Sequence, residues 1–277
     1  MELRDKLAIV TGANTGIGRV TAEELARRGA RVLLACRSEE KTSPVVEAIR
    51  AAGGEAEFLH LDLADLASVR SAAEAVLARN EAVPLLVDNA GLAGQRGATR
   101  QGFELHFGTN HLGHYLFTRL LLPAIERAAE ARIVVVSSHG HTRASGIDWD
   151  AVRKPTPSVS GFPEYCVSKL ANVLFARELA RRVPASVHTY SLHPGGVATD
   201  VWRRVPWGFR HLLKVFLATS EEGARTTLYC ATSDEVAAHT GRYYVRAKER
   251  PASKLAQDEA LARVLWDKSA EWVSLPP

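Results

Sequence analysis

Cysteine is scarce in this chain of 277 residues: Cys36, Cys166 and Cys230 stand far apart, and none forms a Cys-x-x-Cys pair. Neither a disulfide framework nor a zinc site is suggested. Long hydrophobic runs are missing as well, since stretches such as Ile133 to Val136 fall far short of the about 18 residues that span a bilayer. A strong charge of one sign is also lacking. The 35 Lys and Arg against 31 Asp and Glu leave +4, and the doublets Arg27-Arg28, Arg181-Arg182 and Arg203-Arg204 are scattered rather than clustered. Nucleic acid is not expected as a partner, because its binding calls for a basic patch. The pairs His139-x-His141 and His111-x-x-His114 have no cysteine or acidic ligand cluster beside them. They read as loop and helix histidines, and no metal is expected. There is no linker, fixed-period repeat or low-complexity tract. The charged start, Met1 to Lys6, runs straight into a strand pattern with no signal peptide, so a soluble, cytoplasmic protein is expected.

What is present is core material: 46% hydrophobic and 24% charged residues, as in ordinary globular proteins. At roughly 150 residues per domain, the length allows one large domain or two small ones. Short β-branched runs at 7–11, 31–36, 56–61, 85–88, 132–137, 186–192 and 242–245 read as strands. Helical patterns at about 16–28, 40–52, 66–79, 101–128, 164–182, 221–232 and 255–271 alternate with them, with Asp65 as an N-cap and Gly29 and Gly53-Gly54 as stops. The expected fold is α/β: a single-domain, Rossmann-type, doubly wound parallel sheet of about seven strands with helices on both faces. The segment 197–220 breaks this rhythm. Trp202, Trp207, Phe209 and Phe216 are interrupted there by Arg203-Arg204, Pro206 and Gly208, which suggests a lid over a hydrophobic substrate or aromatics packed under a surface loop.

The first strand ends in Thr11-Gly12-Ala13-Asn14-Thr15-Gly16-Ile17-Gly18 and opens a helix at once. Glycines there permit a tight turn, let a pyrophosphate approach the unpaired N–H groups of the helix start, and let helix and strand pack closely. A second cofactor determinant is due about 20 residues on. Arg37 stands 19 residues after Gly18 and offers a guanidinium fork to a 2′-phosphate, so NADP(H) is preferred over NAD(H), unless Arg37 is a solvated strand-end cation. Asp62 and Asn89-Ala90-Gly91 fall at further C-terminal strand ends, where open parallel sheets bind ligands. Asp62 suits an adenine amino group or the capping of a loop. Tyr165 and Lys169 share a helix face at i and i+4, so the ammonium is expected to favour the phenolate. Ser137-Ser138 ends the preceding strand, and the 27 residues from Ser138 to Tyr165 suffice to return the chain to the same edge.

With these motifs in hand, the chain resembles the short-chain dehydrogenase/reductase superfamily over about residues 5–250. Its Thr-Gly-x-x-x-Gly-x-Gly matches Thr11 to Gly18, its Asn-Ala-Gly matches Asn89 to Gly91, and its Tyr-x-x-x-Lys matches Tyr165 and Lys169. The family's catalytic serine and asparagine match Ser138 and Asn110, and its Pro-Gly-x-x-x-Thr matches Pro194-Gly195 and Thr199. Within the superfamily, Ala35-Cys36-Arg37, Asn110-His111-Leu112-Gly113-His114 and Ser168 to Phe175 are similar to the retinol dehydrogenase-like group. The resemblance implies hydride transfer between nicotinamide and a small hydrophobic carbonyl or alcohol. It assigns catalysis to Asn110, Ser138, Tyr165 and Lys169. Cofactor contacts are implied at Gly12, Asn14, Thr15, Gly16, Ile17, Gly18, Arg37, Asp62, Leu63, Asn89, Ala90, Gly91, Tyr165, Lys169, Pro194, Gly195, Val197 and Thr199. In that reading Tyr165 exchanges the proton, Ser138 positions the substrate oxygen, Lys169 holds the nicotinamide ribose, and Asn110 supports a proton-relaying water. Relatives commonly form a homodimer or homotetramer through helices near 101–128 and 164–182. Many animal members carry an N-terminal membrane anchor, but here the chain starts just before the first strand and no transmembrane anchor is expected. Asp88 stands where the usual Asn-Asn-Ala-Gly has its first asparagine. Other classes remain: a silent NADP(H)-sensing binding protein, or an extended-branch epimerase or dehydratase, whose larger C-terminal domain exceeds the 83 residues left after Pro194.

Overall fold

Strand residues alternate between two cores, and that alternation sets the architecture. In the computed structural model, which describes residues 1–195 and 219–277, Leu7 and Ile9 enter one apolar cluster while Ala8 and Val10 enter the other. The strands are β1 (Leu7–Thr11), β2 (Arg31–Cys36), β3 (Glu55–His60), β4 (Leu85–Asp88), β5 (Ala131–Val136), β6 (Val187–His193), β7 (Arg242–Val245) and β8 (Lys248–Glu249). The helices are α1 (Gly16–Arg27), α2 (Glu39–Ala51), α3 (Leu66–Leu77), α4 (Gly113–Ile125), α5 (Phe162–Arg182), α6 (Ser220–Thr232) and α7 (Glu259–Trp272). The strands form one sheet in the order β3-β2-β1-β4-β5-β6-β7-β8, parallel from β3 through β7. Strand order reverses between β1 and β4, and the crevice at that switch is where such sheets take ligands.

Among the described residues the sheet has eight strands, where about seven are expected. The extra one, β8, returns antiparallel on β7 through Arg246 and Ala247, both at positive φ (53° and 56°). A two-residue turn of this hand normally signals itself with Asn or Gly, and neither is present. The helix expected over 101–128 also starts later. Glu104 turns inward and accepts from Phe107 N at 2.7 Å and from Thr156 Oγ at 2.5 Å, and a π-turn over Phe107–Leu112 then leads into α4. The expected helix at 255–271 divides into a short turn at Leu255–Gln257 and α7, because the Asp258 side chain caps the latter by accepting from Leu261 N.

Helix α5 is buried on nearly every side, between the sheet, the π-turn and α7. Trp266 of α7 stacks on Phe175 of α5, and the guanidiniums of Arg119 and Arg182 each lie 4.6 Å from its ring. Ser269 Oγ meets His111 Nε2 at 3.0 Å, and Arg181 pairs with Glu259. Trp266 of α7 thus covers Phe175 of α5 and Tyr115 of α4, in the helix pair expected to join subunits. Among the described residues no helix is long and apolar enough to cross a membrane. The segment 197–220 expected to form a substrate lid, with Trp202, Trp207, Phe209 and Phe216, lies outside the described residues except for Thr219 and Ser220, and Val197 and Thr199 lie outside them too. Thr219 and Ser220 are described: Thr219 caps α6 and Ser220 is its first residue.

Candidate active site

The glycine-rich turn is built for close approach. Gly12 (φ 64°) and Gly16 (φ 55°) hold left-handed conformations, and a Cβ on Gly12 would stand 2.9 Å from Ala90 Cα. One on Gly18 would stand 2.4 Å from both Asn89 Nδ2 and Gly12 O. Helix α1 then starts with no side-chain cap and no acidic residue in its first turn. By contrast α2, α3, α6 and α7 are capped by Ser38, Asp65, Thr219 and Asp258. A helix start that no side chain caps, reached through glycines, fits an anionic pyrophosphate. Arg37 is exposed immediately after β2, and Asn14 and Thr15 lie in the turn itself.

The end of β4 is knotted to the end of β1. Asn89 N and Ala90 N both donate to Thr11 Oγ1 at 2.9 Å, and Asn89 Nδ2 donates to Thr11 O at 2.8 Å. Gly91 follows, and a Cβ there would stand 3.4 Å from both Asn110 Oδ1 and Lys169 Nζ. Asn110 lies in the π-turn, a form that recurs at functional sites. Its Oδ1 accepts from Leu92 N at 2.9 Å, while Nδ2 donates to Leu92 O and to Ser168 Oγ, each at 3.0 Å.

Ser138, just past β5, caps a short helical turn by accepting from Gly140 N at 3.1 Å. Its side chain is hydrogen-bonded to the Tyr165 hydroxyl. Lys169 Nζ lies 5.8 Å from the centre of the Tyr165 ring and donates to Val136 O at 2.9 Å. Asn110, Ser138, Tyr165 and Lys169 therefore meet at one sheet edge. Burial decides their electrostatics: it lowers Lys169 to about 8, and it pushes the Tyr165 phenol above its ordinary value against the opposing pull of the Ser138 hydrogen bond. The i, i+4 spacing predicts a phenolate favoured by the lysine, whereas the burial of both groups raises the phenol and lowers the lysine.

Other residues behave differently from their motif. Asp62 Oδ1 accepts from Ala64 N at 3.0 Å, so it does cap its own loop. Leu63 and Ile17 are buried among apolar side chains, which leaves only their main chains for ligand contact. Pro194 and Gly195 lie at the edge past β6, half-buried. The histidine pairs separate: His111 binds Ser269, while His141 Nδ1 donates to Ser138 O at 2.7 Å and its Nε2 accepts from Ser253 N at 3.2 Å. His141 thus fixes the serine's main chain, a role that a histidine in a loop did not announce. Ser168 was also missed. It takes Asn110 Nδ2 and donates to Tyr165 O at 2.7 Å, and only its place one residue before Lys169 could have hinted at it. Beside Tyr165 lie Ala93, Cys166, Ala144 and Phe162, an apolar flank to the phenol. Two clefts, one lined by Arg50 and Gly54 and the other by Glu81 and Arg127, contain none of the motif residues.

Comparison with known proteins agrees with this geometry. A family model described as short chain dehydrogenase matches residues 6–207. Retinol dehydrogenase 11 of Mus musculus is 42% identical over 283 residues, covering 100% of this chain and 89% of that protein. The crystal structure of an uncharacterised protein from Mycobacterium paratuberculosis superposes with a TM-score of 0.79 at 32% identity, covering 99% of this chain and 96% of that one. A Beutenbergia cavernae protein, solved as an NAD(P) dependent gluconate 5-dehydrogenase with bound NADP at low occupancy, gives a TM-score of 0.70 at 27% identity, with coverage of 88% and 96%.

Proposed function

The chain belongs to the short-chain dehydrogenase family, and from that premise we propose that residues 1–277 form a single NADP(H)-dependent catalytic unit interconverting a hydrophobic alcohol and its aldehyde or ketone. The observation that carries the reading is the convergence of Ser138, Tyr165 and Lys169 beside Gly91 and Asn110. When bound, the nicotinamide supplies the hydride chemistry. Gly12 to Gly18 would hold the pyrophosphate at the start of α1, and Arg37 would face the 2′-phosphate. The protonated Tyr165 phenol gives its proton to the substrate oxygen in reduction, and the Ser138 hydroxyl, held by Gly140 N, orients that oxygen. Lys169 places its Nζ next to Gly91, where it would hold the ribose. Asn110 acts through its clamp on Leu92 and Ser168, and one lone pair of its carbonyl stays available for a relaying water.

The apolar flank at Phe162, Ala93 and Ala144 supports a hydrophobic substrate, and the name of the mouse relative points toward retinoids. Association as a homodimer or homotetramer would use the helices near 101–128 and 164–182, which Trp266 of α7 covers in part. A cytoplasmic location belongs to the same proposal and is checked by fractionating cells that express the chain.

The test is paired turnover with NADPH and NADH on medium-chain aldehydes, ketones and retinal, with Arg37→Asp alongside. We expect wild type to favour NADPH by about ten-fold or more, and Arg37→Asp to erase that preference, since one tenfold step is about 1.4 kcal/mol, within the range of one charged hydrogen bond. A wild-type preference for NADH overturns the Arg37 assignment. NADPH binding without turnover of any carbonyl or alcohol would return the chain to the sensing class.

A further inference from the structure

His114, on the first turn of α4, contacts two parts of the floor at once. Its Nδ1 lies 2.9 Å from Asn110 O and its Nε2 lies 2.9 Å from Thr11 Oγ1. The partners fix the tautomer. A carbonyl only accepts, so Nδ1 carries the proton and donates to Asn110 O. Thr11 Oγ1 already accepts from Asn89 N and Ala90 N, which fills both of its lone pairs. Its own proton has two acceptors in reach, His114 Nε2 at 2.9 Å and Val87 O at 3.4 Å; Nε2 is the closer, and it must be an unprotonated acceptor because a third N–H on this oxygen would find no lone pair. Only the neutral imidazole with its proton on Nδ1 satisfies every group, and burial, which lowers His114 to about 4, keeps it in that state.

We propose that His114 is a positioning residue that ties the cofactor floor to the catalytic floor. It rests on the functional reading above for what those floors do. On one side, Thr11 holds Asn89 and Ala90, which lead to Gly91. On the other, Asn110 holds Leu92 and Ser168, and Ser168 donates to the carbonyl of Tyr165. Gly91 lies between the two, close against both Asn110 and Lys169. A slip of a few tenths of an ångström between β1 and the π-turn changes the space between Gly91 and the lysine. A carbon side chain at position 114 would fill the volume without holding that spacing. It would also leave Thr11 Oγ1 and Asn110 O each with one bond fewer.

Two isosteres divide the bonds. In His114→Asn the amide nitrogen occupies the place of Nδ1, keeping the bond to Asn110 O and losing Thr11. In His114→Gln the side chain reaches Thr11 and loses Asn110 O. We expect His114→Asn to raise the NADPH dissociation constant, read by fluorescence titration, about ten-fold with kcat within two- to three-fold. We expect His114→Gln to do the reverse, kcat falling about ten-fold with NADPH binding nearly unchanged, each change being about one hydrogen bond. His114→Leu should show both losses. A packing role alone predicts that Asn and Gln behave alike; that result, or three variants within two-fold of wild type in both readouts, overturns the proposal. The imidazole nitrogens of 15N-histidine-labelled wild type supply a readout independent of turnover. His114 should report a neutral ring protonated on Nδ1 from pH 5.5 to 8.5. A ring protonated on Nε2, or one that titrates in this range, overturns the inference. If the wild type neither binds NADPH nor turns over any substrate, the functional reading fails by itself, and the tautomer still decides whether His114 bridges the two floors.

Discussion

Two stretches of α5 are equally hidden from water and opposite in what that burial does. Lys169 is 4% exposed, and the partner of the later turns, Trp266 of α7, is 3% exposed. Around Trp266 the burial is mainly apolar: Phe175 and Tyr115 meet its ring and two guanidiniums lie over it, while its Nε1 is buried without a partner. Removing such surface from water stabilises the fold. Around Lys169 the burial is polar and works against the fold, as the lysine's fall to about 8 records. Tyr165, Ser168, Asn110 and Asn172 are held there in a mesh of hydrogen bonds that an apolar cluster could replace at lower cost. A helix that spends its first half on groups that oppose folding and its second half on groups that drive it has divided chemistry from stability along its length.

The largest effect expected from breaking that division is on turnover. Tyr165→Phe removes the phenol and keeps the ring that stacks on Phe162. Loss of a proton donor lowers kcat by about 10²–10⁴, while the urea midpoint should move little, because a buried hydroxyl leaves with its solvation cost. Turnover within a few-fold of wild type would sink the assignment of Tyr165.

The opposite end of the comparison is Trp266→Ala. It opens a cavity beneath Arg119 and Arg182 and should cost about 3–5 kcal/mol in urea unfolding, with kcat per folded molecule within a few-fold. A loss under about 1 kcal/mol would show that α7 merely rests on α5.

How far these two regions could be read from the sequence differs for physical reasons. The bounds of β1, β2, β4 and β7 agree with the expected ones because β-branched runs between glycines and helix starts leave little choice of register. The residues proposed to carry the chemistry stood out because their spacing is fixed by one strand edge: Thr11 to Gly18, Asn89 to Gly91, Ser138 and Tyr165 all fall where a strand stops or a helix begins. The π-turn was not legible, since Phe107 to Ile125 carries continuous helical periodicity and the inward turn of Glu104 is a tertiary event. Nor was β8, whose turn uses Arg246 and Ala247 at positive φ. His114 read as an ordinary helix histidine. Only its position four residues after Asn110, on the same helix face, hinted at the bridge.

Asp88 sharpens the comparison most finely, because it is a buried polar group that has not been made comfortable. Thr118 Oγ1 donates to its Oδ2 at 2.8 Å, but Oδ1 has no partner, and burial raises the carboxyl to about 7. In the unfolded chain the same group ionises near 4. Between about pH 4 and pH 7 the unfolded state therefore releases a proton that the folded state keeps, and wild-type stability falls as pH rises through that window. Asp88→Asn carries no such proton and keeps an oxygen for Thr118. The variant should match wild type near pH 4.5 and gain on it by about 1.4 kcal/mol per pH unit, levelling above pH 7 at up to about 4 kcal/mol. Urea unfolding at pH 5, 6, 7 and 8 reads this directly. Parallel curves across that range would mean that the carboxyl finds a partner in solution, and Asp88 would then join the hydrogen-bonded mesh around Lys169 rather than stand apart from it.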